Sequence, residues 1–85
     1  MKLYRVEIAP AVRKQIKQIP KADKKKILDA IEALGVDPRP NGYKKLVGYS
    51  DFFRYRVGNY RIIYQIYDKI LLVSVVEVAD RRDAY

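Results

Sequence analysis

The chain has 85 residues, of which 49% are hydrophobic, so it has room for one domain with one core. Eighteen Lys and Arg against ten Asp and Glu give a net charge of +8, which favours an anionic partner such as nucleic acid or an acidic protein. The lack of Cys and His excludes disulfides, thiolate chemistry, imidazole metal sites and histidine acid–base catalysis. The amino terminus lacks the apolar run of a signal peptide and no segment is long enough to span a membrane, so we expect a cytoplasmic protein.

The first part of the chain predicts one strand and two helices. Residues 3–9 alternate between apolar and charged side chains, which is typical of a half-buried strand. Pro10 suits the first turn of a helix, and Pro20 separates this helix from a second one that Gly35 is predicted to end. The apolar stripe of the second helix is predicted to consist of Ile27, Leu28, Ile31 and Leu34.

Basic side chains crowd the start of the second predicted helix, where the helix dipole favours anions. They are Lys21, Lys24, Lys25 and Lys26. These lysines either contact a phosphate backbone or form a solvated surface. Residues 37–42 then carry two prolines and a glycine, which predicts a loop, and residues 43–48 follow as an extended lead-in to the sheet.

The strongest local signal is a β-hairpin around Gly58-Asn59, because both residues tolerate the positive φ of a two-residue turn. A turn of this length sets the strand register. The predicted opposite pairs are Val57 with Tyr60, Arg56 with Arg61, Tyr55 with Ile62, and Arg54 with Ile63.

The predicted register gives the hairpin one apolar and one cationic side. Arg54, Arg56 and Arg61 share one side, and the other is apolar enough to pack against helices. The apolar side consists of Phe53, Tyr55, Val57, Tyr60, Ile62 and Tyr64. Like charges directly opposite each other cost about 0.2–1 kcal/mol, which indicates an anionic ligand. The alternative is that long guanidinium stems simply extend into water.

After the hairpin, a tight turn at Asp68-Lys69 is predicted to lead into a strand from Ile70 to about Val78. With that turn, the predicted register places Arg61 opposite Val76 and Ile63 opposite Ser74. The cationic side would then be apolar farther along and able to hold a base or sugar. The elements together predict an α+β domain over residues 1–85, with a small antiparallel sheet (an N-terminal strand plus a three-stranded C-terminal meander) packed on an N-terminal two-helix hairpin.

In its order of segments the chain resembles the RelE/ParE superfamily of toxin–antitoxin toxins, and in particular RelE-like messenger-RNA endonucleases. The resemblance covers nearly the whole chain and rests on the early strand and helix pair, the Pro-Arg-Pro loop, residues 45–48, the segment 55–64 and the tail 81–85. It implies a small antiparallel sheet with two amino-terminal helices on one side.

The resemblance also implies an activity, which is metal-independent cleavage of messenger RNA in the ribosomal decoding site by a ribose 2′-hydroxyl, with no cofactor. The implied catalytic residues are Arg56, Arg61, Arg81 and Tyr85. The tail would leave the last strand where Arg56 and Arg61 meet, so its side chains can join them. The expected substrate contacts are Lys44, Lys45, Arg54, Arg82, Tyr49 and Phe52. A crowded cationic pocket can stabilise charge on a pentavalent phosphorus intermediate without a metal.

Two departures from the family pattern leave the proton acceptor open. Some relatives carry a Lys on the strand that holds Arg54, and Arg is a poor base. Many relatives carry a His just before the carboxy-terminal Arg pair, where this chain has Asp80. We therefore take Asp80 as the candidate base, or alternatively as an ion-pair partner of Arg81, Arg82 or Lys45. Glu77 is the weaker candidate, because the predicted register places it opposite Tyr60 and away from the arginines.

The resemblance implies a RelB-like antitoxin, the ribosome and messenger RNA as partners, with operator DNA contacted only through the antitoxin complex and no membrane. Two other functions stay open. One is a ParE-like toxin that inhibits DNA gyrase, and the other is a catalytically silent nucleic-acid-binding or corepressor module.

Overall fold

Two helices pack against one face of a five-stranded sheet in this computed structural model, which describes residues 3–46, 48 and 51–80. The elements are β1 (Arg5–Ile8), α1 (Pro10–Lys17), α2 (Lys21–Val36), β2 (Lys44–Lys45), β3 (Phe52–Val57), β4 (Tyr60–Tyr67) and β5 (Leu72–Asp80). Within the described ranges, neither helix is long and apolar enough to cross a membrane.

The strand order is β1-β5-β4-β3-β2, which confirms the predicted α+β class with its amino-terminal strand and carboxy-terminal meander. The sheet is mixed rather than wholly antiparallel, because β1 pairs parallel with β5. A parallel pair needs a long connection, and the helices and the rest of the meander lie between these two strands. Residues 43–48, predicted as an extended lead-in, contribute the short edge strand β2.

The core lies between the helices and the sheet. Its fully or nearly buried residues are Val12, Ile16, Ile27, Ile31, Leu34, Tyr60, Ile62, Tyr64, Val73, Val75 and Val78. The prediction was wrong for Leu28, which is 42% exposed. It was also wrong for Gly35, which lies inside α2. A Cβ there would come within 3.0 Å of the Tyr4 carbonyl oxygen and of Val6 Cγ2, so this glycine lets β1 approach the helix closely.

The connection between β4 and β5 differs from the predicted two-residue turn. Asp68–Ile70 form a 3₁₀ turn, and Leu71 follows with a positive φ of 51°, so β5 begins at Leu72 rather than Ile70. The longer connection shifts the register. The observed pairs are Arg61 with Ala79 and Ile63 with Glu77, so the predicted pairs with Val76 and Ser74 were wrong.

A β-bulge in β5 changes which side chains face which side of the sheet. Ile63 pairs with Glu77 while Tyr64 pairs with Val75, so Val76 is an extra residue. Val75 and Val78 are both buried in the core, and the two residues between them lie on the opposite face. Strict alternation from Val75 would have turned Glu77 toward the helices. The bulge therefore turns Glu77 to the outer face.

Helix α1 covers the open edge of β5 beside this bulge. β1 pairs only as far as Val75, and beyond it the Val78 amide donates a hydrogen bond to Gln15 Oε1 at 3.1 Å. A side chain thus takes the place of a neighbouring strand.

Replacing Gln15 with alanine is expected to lower the free energy of unfolding by about 1–3 kcal/mol, because it leaves the Val78 amide without its acceptor. Urea unfolding followed by circular dichroism measures this change. Gln18→Ala is the matched control, since the Gln18 side chain makes no hydrogen bond with the described residues. Equal stabilities of the two variants would contradict the role given to Gln15.

Candidate functional site

The central hairpin has the predicted register in every pair. Val57 lies opposite Tyr60, and Arg56 lies directly opposite Arg61 across a turn in which Gly58 has a φ of 58°. The predicted apolar side is confirmed as well, because all six of its residues belong to the core or pack against it. The arginines therefore lie on the sheet face that points away from the helices.

Strand β2 brings a fourth cation to this face. Lys44 pairs with Arg54, so the two side chains are neighbours on one side, whereas Lys45 pairs with Phe53 on the other side. We call Lys44, Arg54, Arg56 and Arg61 the cationic face. It contains two directly opposed pairs of like charge, each of which opposes folding by about 0.2–1 kcal/mol.

Arg61 is, with Arg54, one of the two half-buried members of the cationic face. Its side chain is half-buried, and its Nε is buried without a hydrogen-bond partner. Within the described residues, the ion pairs lie elsewhere and join Arg5 to Glu7, Lys25 to Asp29 and Arg39 to Asp68. A guanidinium that is partly removed from water and has no ion-pair partner costs free energy, which a bound anion would offset. The site is thus suited to an anionic ligand.

Arg39, near the β4–β5 connection, shows how a paired arginine looks in this chain. Its Nη1 and Nη2 donate to the two carboxylate oxygens of Asp68 at 3.1 and 2.8 Å, and Tyr4 also donates to Asp68. Hydrogen bonding to Asp68 raises the pKa of both the Arg39 guanidinium and the Tyr4 phenol. This arrangement is a structural ion pair, and the cationic face lacks its equivalent among the described residues.

Two adjoining grooves open beside Arg61. One has a volume of about 610 Å³ and is lined by Gln15, Leu46, Phe52, Arg61, Ile63, Val76 and Glu77. The other has a volume of about 760 Å³ and is lined by Gln15, Gln18, Ile19, Pro20, Tyr60, Arg61, Glu77, Val78, Ala79 and Asp80. The first groove has an apolar floor next to a cation and a carboxylate, a combination that suits the sugar and base of a nucleotide beside its phosphate.

The two candidate bases start from different sides of the sheet, and both border the larger groove beside Arg61. Asp80 pairs with Tyr60, whose side chain is in the core, so Asp80 starts from the helix side at the end of β5. Glu77 pairs with Ile63 and lines both grooves with Arg61. The prediction that Glu77 faces Tyr60 was wrong, because the connection before β5 is longer than predicted and the strand contains a bulge. The one signal of the bulge in the sequence was the change of alternation phase between Val75 and Val76.

Of the predicted site residues, four lie outside the described part of the chain. They are Tyr49, Arg81, Arg82 and Tyr85. The structure brings Lys44, Arg54, Arg56, Arg61 and the Phe52 side chain to one region, and it separates Lys45 from them. The last described residue of β5, Asp80, pairs with Tyr60 next to Arg61, and the predicted course of the tail lies outside the described residues. Gln15 and Leu46 also line the grooves, and the sequence offered no signal for either.

Relieving the opposed charges is expected to stabilise the fold. Arg56→Gln should raise the free energy of unfolding by about 0.2–1 kcal/mol, because Arg56 is exposed and lies directly opposite Arg61. The gain should shrink in high salt, which screens the repulsion. Denaturant unfolding at low and high salt measures it, with Arg13→Gln on the exposed side of α1 as the control for lost charge. A gain of the same size in Arg13→Gln would contradict the account of the pair.

Comparison with known proteins supplies further findings. The family model described as ParE toxin of the type II toxin–antitoxin system, parDE, matches residues 6–85. A chain of the archaeal RelE–RelB complex from Pyrococcus horikoshii OT3 is 31% identical with a TM-score of 0.82, and the match covers 95% of this chain and 97% of that chain. A chain of the RelB–RelE antitoxin–toxin complex from Methanococcus jannaschii is 28% identical with a TM-score of 0.75, covering 93% and 94%. A chain of the RelBE2 toxin–antitoxin complex from Mycobacterium tuberculosis shares the fold, with a TM-score of 0.84, 24% identity and coverage of 95% and 94%.

Proposed function

This chain belongs to the RelE/ParE superfamily of type II toxin–antitoxin toxins, and we propose that it is a ribosome-dependent endoribonuclease. It cleaves messenger RNA in the decoding site and so inhibits translation. The observation that carries the proposal is the half-buried Arg61, whose Nε has no partner in a face that gathers three further cations.

In the proposed reaction, the ribose 2′-hydroxyl attacks the adjacent phosphate. Arg61 and Arg56 bind that phosphate and stabilise the charge that develops on its oxygens, which is the task that fixed cations perform in a site shielded from water. Arg54 and Lys44 hold the neighbouring backbone phosphates, because they extend the cationic face along β3 and β2. Phe52 contacts a base beside Arg61.

The carboxy-terminal segment supplies the remaining groups of the proposed site. By the family resemblance, Arg81 and Tyr85 join the catalytic residues, and Arg82 and Tyr49 contact the substrate. Support for a role of the tail comes from β5, which ends at Asp80 beside the Arg56–Arg61 pair. The site needs no resident cofactor in this proposal, since guanidinium groups carry the charge stabilisation.

The proposed partners follow from the activity. A RelB-like antitoxin holds the toxin inactive. Support comes from the similar chains from Pyrococcus horikoshii and Methanococcus jannaschii, whose structures are complexes of RelE with RelB. The net charge of +8 favours an acidic antitoxin segment. Operator DNA is contacted through the antitoxin complex, and the protein acts in the cytoplasm, where the ribosome and messenger RNA are.

A second candidate is a ParE-like toxin that inhibits DNA gyrase, because the matching family model is described as ParE toxin. The cationic face favours the first candidate, since a toxin that only binds a protein has no need for a half-buried guanidinium that lacks an ion-pair partner and lies among three further cations. Induction of the toxin in cells distinguishes the two. We expect protein synthesis to stop while a DNA-damage reporter stays silent. An induced DNA-damage response with translation continuing would support gyrase inhibition and contradict the endoribonuclease.

A further inference from the structure

We infer that Glu77 is the general base of the proposed reaction and accepts the proton of the attacking 2′-hydroxyl. This inference rests on the proposed function and supplies the proton acceptor that the arginines cannot provide. A guanidinium stays protonated at any physiological pH, so the cationic face can bind and stabilise a phosphate but cannot remove a proton.

The position of Glu77 is the first argument. It lies opposite Ile63 on β4, two residues from Arg61, which makes it a diagonal cross-strand neighbour of that arginine. Such neighbours are about 7–8 Å apart in a regular sheet, within reach of one another through long side chains. Glu77 and Arg61 line the same two grooves. A phosphate bound by Arg61 would therefore present its adjoining ribose toward the Glu77 carboxylate.

The bulge is the second argument. Val76 is inserted where strict alternation would have directed Glu77 into the core, and the Val78 amide just beyond it is held by Gln15. Bulges next to functional sites commonly redirect one side chain in this way. The bulge thus leaves Val76 unpaired and places the Glu77 carboxylate on the same side of the sheet as the cationic face.

The Glu77 carboxylate is also available to a ligand. It forms no hydrogen bond or ion pair with the described residues, and neither does the nearby Arg61 guanidinium. A carboxylate and a guanidinium in one groove would be expected to pair if the groove served only stability. Their separation leaves space for a ligand that engages both. Asp80 borders only the larger groove and starts from the helix side of the sheet beside Tyr60, whereas Glu77 lines both grooves with Arg61.

The Glu77 carboxylate takes the 2′-hydroxyl proton, and the 2′-oxygen forms a bond to phosphorus. The bond between phosphorus and the 5′-oxygen breaks, and this oxygen leaves with the electron pair and takes up a proton from water. Glu77 later returns its proton to solvent. The products are a 2′,3′-cyclic phosphate and a 5′-hydroxyl end, and no oxidant or reductant is needed.

The test is single-turnover cleavage of ribosome-bound messenger RNA by the wild type, Glu77→Gln, Glu77→Asp and Glu32→Gln. Removing a general base typically slows the reaction by about 10²–10⁴-fold. We expect Glu77→Gln to show a loss in that range with an unchanged half-saturating toxin concentration, and Glu77→Asp to recover part of the rate. Glu32→Gln on the exposed side of α2 controls for lost negative charge and should cleave like the wild type. Thermal unfolding checks that each variant is folded.

A substrate with sulfur in place of the scissile 5′-oxygen identifies which proton Glu77 handles, because a thiolate leaves without being protonated. We expect the loss in Glu77→Gln to persist on this substrate. If Glu77→Gln cleaved this substrate as fast as the wild type, Glu77 would act on the leaving group. If Glu77→Gln changed only the half-saturating toxin concentration or the base preference, Glu77 would only bind the substrate. Each of these results would overturn the inference. A loss of cleavage in Asp80→Asn, made as a further variant, with none in Glu77→Gln would overturn it as well.

The failure of this inference is distinguishable from failure of the proposed function. If the wild type cleaves ribosome-bound messenger RNA and Glu77→Gln cleaves it equally fast, only the assignment of the base fails. If the wild type does not cleave, the endoribonuclease proposal fails, and the assignment of Glu77 fails with it.

Discussion

Replacing Arg61 with alanine is expected to slow cleavage of ribosome-bound messenger RNA by about 10²–10³-fold, the usual loss for one well-placed donor at a developing oxyanion. Arg61 is half-buried and makes no hydrogen bond or ion pair with the described residues, so no group of the protein competes with a phosphate for its guanidinium. Single-turnover cleavage in a purified translation system measures the loss.

Arg61→Lys should recover little of this rate. Lysine keeps the charge, but its ammonium group lacks the planar set of donors that binds two phosphate oxygens at once. Arg13→Ala, on the exposed side of α1, removes the same charge away from the cationic face and should leave cleavage unchanged. If Arg61→Ala and Arg13→Ala behaved alike, the phosphate-binding role of Arg61 would be wrong.

Replacing Tyr64 with alanine is expected to lower the free energy of unfolding by about 3–5 kcal/mol, as for other large aromatic residues in a core. Tyr64 is fully buried between the helices and the sheet, and its hydroxyl donates to the Pro38 carbonyl at 2.8 Å. Total stability of an 85-residue domain is about 4–13 kcal/mol, so this one change removes a large part of it. Urea unfolding followed by circular dichroism measures the loss.

Tyr64→Phe separates packing from the hydrogen bond. It keeps the ring and leaves the Pro38 carbonyl without its donor, so we expect a smaller loss of about 1–3 kcal/mol. Equal losses in the alanine and phenylalanine variants would mean that the ring contributes nothing beyond the hydroxyl, contrary to its burial.

The difference in the free energy of unfolding between the wild type and Tyr64→Phe should depend on pH. Burial raises the pKa of Tyr64 above its ordinary value of 10.0. The folded protein then holds this proton at pH values where the unfolded chain has lost it. The stabilising contribution is therefore complete below about pH 10 and is lost as the pH rises toward the folded pKa. We expect the advantage of the wild type over Tyr64→Phe to shrink above about pH 10. A constant difference across this range would contradict the assigned shift.

The hairpin was predictable because its signals are local. Gly58-Asn59 defines a two-residue turn, and once the turn length is known, strict alternation determines the register and both faces. The opposed Arg56–Arg61 pair and the core side of the hairpin followed from that one turn. The two-helix unit was predictable for a similar reason, since Pro10 and Pro20 mark the starts of the helices.

The fifth strand was less predictable because its signals are not local. Leu71 adopts a positive φ, and no glycine indicates it. The connection therefore includes Ile70 and Leu71, which the sequence analysis assigned to the strand. The alternation of the strand that follows changes phase between Val75 and Val76, since Ser74 and Glu77 are three residues apart, and this change was the only local trace of the bulge. The edge contact of Gln15 with the Val78 amide depends on tertiary packing alone.

The unpredicted connection and the unpredicted bulge limited what the sequence could reveal of the site. Three members of the cationic face, Arg54, Arg56 and Arg61, lie on the hairpin, and the sequence identified them. The position of Glu77 depends on the connection and the bulge together, and an error of one residue moves a side chain to the other face of a sheet. The sequence therefore indicated a phosphate site and left its proton acceptor open.

The most direct test of the central proposal is to add purified protein to a translating extract and map the broken ends of the messenger RNA. We predict breaks at a fixed position within codons of ribosome-bound messages, with 2′,3′-cyclic phosphate ends, and their disappearance with Arg61→Ala. Intact messages in the presence of folded wild-type protein would contradict the account.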